Sequence, residues 1–379
     1  MVVRQRARNV GLVGVALVLG LALGGCGSQA TPGSGASAVP STSATEAAAA
    51  AAECGSGTID AAGSSAQRNA VEQAIITFAT VCPDVVVRYD ASGSGAGITR
   101  FTAGEVAFAG SDSALNAGKG EVDAAAARCG GAPAWNLPMV TGPVALAYNL
   151  DTVGQLVLDA ATTARIFRGE IVSWDDPAIA ALNPGELLPA EEIQVLFRAD
   201  ESGTTENFTR YLATAAADVW TDAPAKTWPV EGVGEGREKS AGVAEAVATT
   251  PSSLTYVEWS YAKENRLGVA KIDNGSGPVE LTAESVGATV ATAERTGAGD
   301  DLTLRLDHAT REPGAYPIVL VTYEVVCSTG LDEPTAAAVR AFLRHLASTE
   351  VQQSLADIGY APLPTSVRED VLDAIGSLG

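Results

Sequence analysis

Three times between residues 57 and 113, a short apolar or β-branched run ends in a glycine–serine turn. Gly57–Ala62 leads into Gly63-Ser64-Ser65, Val85–Tyr89 into Gly93-Ser94-Gly95-Ala96-Gly97, and Val106–Ala109 into Gly110-Ser111-Asp112-Ser113. After the first turn, Val71, Ala74, Ile75, Phe78 and Val81 recur at helical steps until Pro83, and a second helical stretch starts at Ile98. Strand, small-residue turn and helix in repeated alternation predict an α/β fold with a parallel sheet and helices on its faces. Ligands of such sheets sit beyond the carboxyl ends of the strands, which is where the serine- and glycine-rich turns fall.

The pattern continues down the chain. Val140–Tyr148 reads as a strand, Leu156–Phe167 as a helical stretch, and Ile193–Phe197 as a strand that delivers Arg198. A helix is expected from Thr205 to Ala217, so that Ser202-Gly203-Thr204 opens it. Gly232–Gly242 reads as a flexible glycine-rich loop, followed by a helix over Ala241–Ala248 and a strand over Ser253–Val257. A β-rich run from Tyr316 to Val326 precedes a helix with Val339, Phe342, Leu343 and Leu346 on one face. No repeat of fixed period is present, and 379 residues suffice for two domains.

The segment Arg198-Ala199-Asp200-Glu201-Ser202-Gly203-Thr204 carries the chemistry. A helix N-terminus offers unpaired N–H groups and the positive end of a dipole, and the hydroxyls of Ser202 and Thr204 add donors there. Arg198 supplies a planar fork that can hold two oxygens at once. The combination suits a buried anion. Singly, Ser64, Ser65 and Ser94 could be helix caps, Arg198 and Asp200 a surface ion pair, and Asp112 a turn residue.

A net charge of −21 excludes a nucleic-acid partner, because no basic surface is available to displace counterions. An anion must therefore be captured locally, against the long-range field. Enzymatic chemistry finds no support. There is no G-x-S-x-G elbow or P-loop, and the two histidines, His308 and His345, cannot build a metallophosphatase centre. No metal and no cofactor is expected.

Residues 1–26 read as a lipoprotein signal peptide: Arg4, Arg6 and Arg8, then an apolar run from Val10 to Leu23, then Gly24-Gly25-Cys26. The run is too short to span a bilayer comfortably. Cleavage before Cys26 with lipid on its sulfur is the expectation, against an ordinary secretory peptide with an incidental cysteine. Residues 27–53, rich in Ser, Thr, Ala, Gly and Pro, form a flexible tether. Cys54, Cys82, Cys129 and Cys327 remain, an even number that suggests two disulfides in one of three connectivities.

In order and spacing, the three Gly-Ser turns, the Arg198–Thr204 segment, Ser173-Trp174-Asp175-Asp176-Pro177-Ala178-Ile179 and Tyr316-Pro317-Ile318 resemble one family. It is that of the phosphate-binding lipoproteins of the high-affinity phosphate ABC importer, in its actinobacterial form. The resemblance implies a two-lobed periplasmic-binding-protein-like fold of type II, with the ligand in a cleft between lobes joined by two crossing strands. It places lobe I at residues 54–142 plus 319–379 and lobe II at 143–318, with crossings near Thr141-Gly142-Pro143 and Pro317-Ile318. It implies phosphate ligands at Ser64, Ser65, Ala66, Ser94, Asp112, Arg198, Ser202, Gly203 and Thr204, with Asp200 holding the Arg198 guanidinium from behind. Ala66 stands where the family often has an aromatic residue, and Glu201 where a glycine is common. A carboxylate at position 112 suits a ligand that has a proton to donate, which hydrogen phosphate has and sulfate lacks. The implied protein is a monomer on the outer face of the cell membrane, anchored through Cys26, that hands inorganic phosphate to the permease subunits. Another tetrahedral oxyanion, arsenate above all, and a surface adhesin or sensor that keeps the fold are the alternatives.

Overall fold

The computed structural model describes residues 54–379. The signal peptide, Cys26 and the tether lie outside the described residues. No helix among the described residues is long and apolar enough to cross a membrane.

The expected alternation is present. Strands β1 (Gly57–Gly63), β2 (Val85–Asp90) and β3 (Phe108–Ser111) are interleaved with helices α1 (Arg68–Val81) and α2 (Ser94–Thr102). β1 pairs in parallel with both β2 and β3, so all three Gly-Ser turns emerge from one end of the sheet. The sheet continues through β4 (Ala134–Asn149), β5 (Gln194–Arg198), β6 (Glu235–Arg237), β7 (Ser253–Glu258) and β8 (Val319–Cys327). Its order is β2-β1-β3-β8-β4-β7-β5-β6, with Gly268–Val269 pairing alongside β4.

β4 gives the fold its two halves. Residues 134–143 pair antiparallel with β8, and residues 144–149 pair antiparallel with β7. The change of partner falls beside the start of β8, where Val144 N–H donates to the Ile318 carbonyl at 2.8 Å. Two chain segments thus pass side by side between the halves. The apolar core divides in the same way. The largest cluster includes Trp174, Phe208 and Tyr256, and the second largest Phe78, Phe108 and Phe342. Disulfides Cys54–Cys82 and Cys129–Cys327 select one of the three connectivities.

Several elements differ from the sequence reading. β4 starts six residues before Val140, in spite of Pro138. The register shift opposite Thr322 and Tyr323 leaves Met139 as an extra residue, a bulge of the kind that accommodates proline. Leu156–Phe167 divides into a short strand, Val157–Asp159, and a helix, Ala160–Phe167, capped by the Asp159 carboxylate on Thr162 N–H. Val81, counted with the apolar stripe of α1, is exposed. Gly232–Gly242 is not simply a loop. It contains β6 and the start of helix α4 (Lys239–Thr249). A three-residue strand among glycines has too little side-chain pattern to be read as one.

Candidate functional site

The turns after β1, β2 and β3 meet the end of β5 and the helix that follows it, α3 (Gly203–Ala215). α2 starts at Ser94 rather than Ile98, because Gly93 turns the chain with φ 99° and the helix begins at once. α3 starts at Gly203 rather than Thr205, with Ser202 as its N-cap accepting from Thr205 N–H at 3.2 Å. The Gly203 and Thr204 N–H groups therefore open the helix without intrahelical acceptors.

Asp112 is the node of the first half of the site. It is 3 % exposed and its carboxylate accepts from four hydroxyls. Oδ1 takes short bonds from Ser64 Oγ (2.5 Å) and Thr322 Oγ1 (2.8 Å). Oδ2 takes long ones from Thr204 Oγ1 (3.3 Å) and Ser94 Oγ (3.4 Å). Burial raises the Asp112 pKa above the ordinary aspartate value. The hydroxyls of Ser64, Thr322 and Thr204 and the Arg198 charge oppose that rise without cancelling it.

Arg198 is the node of the second half, and it is 2 % exposed. Nε donates to Asp200 Oδ1 at 2.7 Å and Nη2 to Asp200 Oδ2 at 2.5 Å, a bidentate pair that fixes the guanidinium plane. Asp200 also accepts from the Lys239 N–H at 2.9 Å. Burial pushes its carboxyl upward, but the bond and charge of Arg198, with Lys239, outweigh burial and hold it below the ordinary value. An aromatic stack supports this end. Tyr256 lies 4.4 Å from the Phe208 ring and its hydroxyl meets Thr205 Oγ1 at 2.7 Å and Arg198 N–H at 3.2 Å.

Ser64, Ser94, Asp112, Thr204, Ser65 and Arg198 belong to one buried constellation. Gly203 closes against it: a Cβ there would meet Asp112 and Ser94 atoms at 2.6 and 2.7 Å. Ser64 contributes through Asp112, since its own N–H is bound to the Gly110 carbonyl at 2.8 Å. Ala66 N–H is turned to Ser64 Oγ at 3.1 Å. Glu201 is exposed, with its backbone carbonyl accepting from Gly95 N–H at 3.2 Å.

Two participants escaped sequence reasoning. Thr322 sits in β8, where every residue is buried, and the alternating polar pair Thr322 and Glu324 in an otherwise apolar strand was the available signal. Ser240 lies in the supposed loop. A serine at the start of a helix after a short strand repeats the pattern of Ser94 and Ser202, but β6 was too short to reveal the context.

A two-lobed α/β binding protein, with a buried polar constellation assembled from turns of both halves of its sheet, is the class that this fold defines. A family model described as a PBP superfamily domain matches residues 48–350. Phosphate-binding protein PstS 3 of Mycobacterium tuberculosis is 44% identical over 328 residues, which cover 86% of this chain and 87% of that protein. Phosphate-binding protein PstS of Xylella fastidiosa is 31% identical over 298 residues, 75% of this chain and 76% of the relative. The solved structure of a phosphate-binding protein from Stenotrophomonas maltophilia shares the fold, with a TM-score of 0.67 at 21% identity over 84% of this chain and 94% of that one. The chain belongs to the PstS family of phosphate-binding proteins.

Proposed function

We propose that this protein captures inorganic phosphate outside the cytoplasm and delivers it to the permease of an ABC importer. The observation that carries the reading is the asymmetry of Asp112. Its Oδ1 is held by two short bonds, while Oδ2 has only two long ones. Oδ2 is the oxygen placed to accept a proton from a ligand. Ser94 and Thr204, whose bonds to Oδ2 are weak, are the hydroxyls able to turn their protons toward ligand oxygens instead. Arg198, the Ser65 and Ser202 hydroxyls and the Gly203 and Thr204 N–H groups supply the remaining donors, with Asp200 keeping the guanidinium in plane. Prearranged dipoles with a single positive side chain hold a dehydrated dianion and still release it.

Sulfate has no proton to give near neutral pH, so its oxygen would face the carboxylate charge against charge. Sites built for a proton that the competitor lacks discriminate by roughly 10⁴-fold. Arsenate carries the proton and would be accepted.

The lobes are assigned to residues 54–142 plus 319–379 and to 143–318, a division supported by the partner change of β4 between Pro143 and Val144. The protein is a monomer that works without catalysis, tethered by residues 27–53 to a lipid on Cys26. A diacylated cysteine provides the two chains that firm anchoring needs.

Calorimetric titration with phosphate, arsenate and sulfate tests the reading. Phosphate and arsenate should bind and sulfate should not. Equal binding of sulfate would remove Asp112 from its role, and no binding of phosphate would remove the function.

A further inference from the structure

Ser240 belongs to none of the turns that carry the family resemblance, yet it is completely buried beside Arg198. Arg198 Nη1, the guanidinium nitrogen that the Asp200 pair leaves free, donates to Ser240 Oγ at 3.1 Å. Ser240 Oγ and Ser65 Oγ lie 3.0 Å apart although 175 residues separate them in the chain. The Ser240 N–H also donates to Ser65 Oγ, at 3.1 Å. Ser65 is held from the same side a second time, by the Tyr261 hydroxyl on its carbonyl at 2.7 Å.

Hydroxyl chemistry turns this arrangement into a directional relay. A guanidinium only donates, so Ser240 Oγ is its acceptor and keeps one proton of its own. Between the two serines that proton can run either way while Ser65 has no other acceptor. Once an anion oxygen lies against Ser65, the Ser65 proton goes to the anion, and the bridge must be filled by the Ser240 proton. Arg198 then polarises Ser240, Ser240 polarises Ser65, and Ser65 becomes a stronger donor, as chains of hydrogen bonds strengthen one another.

We infer that Ser240 is a positioning residue for the anion. It carries the charge of Arg198 to Ser65 and joins the turn after β1 to the start of α4. The inference rests on the phosphate reading of the site. Lys239 prepares the geometry. Its backbone has φ 65°, an unusual left-handed conformation for a lysine, and that bend directs the Lys239 N–H to Asp200 and the next N–H, of Ser240, to Ser65.

A double-mutant cycle of Ser240→Ala and Ser65→Ala, followed by phosphate calorimetry and stopped-flow release, tests the relay. Loss of one buried hydrogen-bond link predicts roughly tenfold weaker binding for Ser240→Ala, carried mainly by faster release. In the Ser65→Ala background the same substitution should cost much less, because the relay then has no end to act on. Equal losses in both backgrounds, or wild-type affinity for Ser240→Ala, would overturn the relay while leaving the phosphate reading intact. A wild-type protein that ignores phosphate would overturn both. If the alanine variant is not folded by thermal melt, Ser240→Cys, of similar size but a weak donor, must show the same dependence on Ser65.

Discussion

Asp112 is buried and Asp200 half-buried within one constellation, and both interact with Arg198, yet their environments drive them in opposite directions. Asp200 has the guanidinium in a two-point grip and titrates below an ordinary aspartate. The Asp112 carboxylate has only hydroxyls as hydrogen-bonding partners, feels Arg198 through space, and titrates above the ordinary value because burial dominates. The first is a satisfied carboxylate that keeps a cation in place. The second is an underpaid one that, on the phosphate reading proposed above, gains from a ligand's proton. Residue type does not distinguish the two acids; the partner of each oxygen does.

The largest effect should come from removing what the two aspartates share. Arg198→Ala leaves the half-buried Asp200 without its guanidinium partner and deprives the ligand of its cation, and should weaken phosphate binding by roughly 3–5 kcal/mol in calorimetry. A wild-type isotherm would take Arg198 out of the pocket. Next in size is Asp112→Asn. The amide cannot accept a ligand proton as a charged oxygen does, so phosphate affinity should fall by roughly tenfold or more while sulfate begins to bind. The comparison fails if sulfate remains excluded to the same degree.

The smallest expected effect is on the pH dependence of the ligand-free protein, and its sign separates the two acids. A depressed carboxyl stabilises the fold above its unfolded value and loses that contribution as pH falls through the folded value. A raised carboxyl does the reverse: its contribution is whole below the unfolded value and is lost as pH rises through the folded value. Both start from 3.8. Asp200→Asn should therefore flatten the loss of thermal stability on the acid side of that value. Asp112→Asn should flatten the loss above it, and should raise the melting temperature near neutral pH. Shifts of the same sign in both variants would erase the distinction.

The α/β alternation, the Gly-Ser turns at strand ends and the Arg198–Thr204 segment were legible in the chain. Each is local: an apolar period, a small residue where the backbone turns sharply, a cap before a helix. Ser64, Ser94 and Thr204 could be named for the same reason. The short bonds from Ser64 and Thr322 to Asp112, the Ser240 link between Arg198 and Ser65, and the pairing of Cys129 with Cys327 could not. They join residues from 42 to 210 positions apart in sequence, and no local pattern encodes such distances. Thus the order of residues determined which turns would present donors and one arginine. Only the tertiary structure decided which oxygens of Asp112 and Asp200 those groups would reach, because hydrogen-bond partners across a crevice are set by how the two halves of the sheet pack.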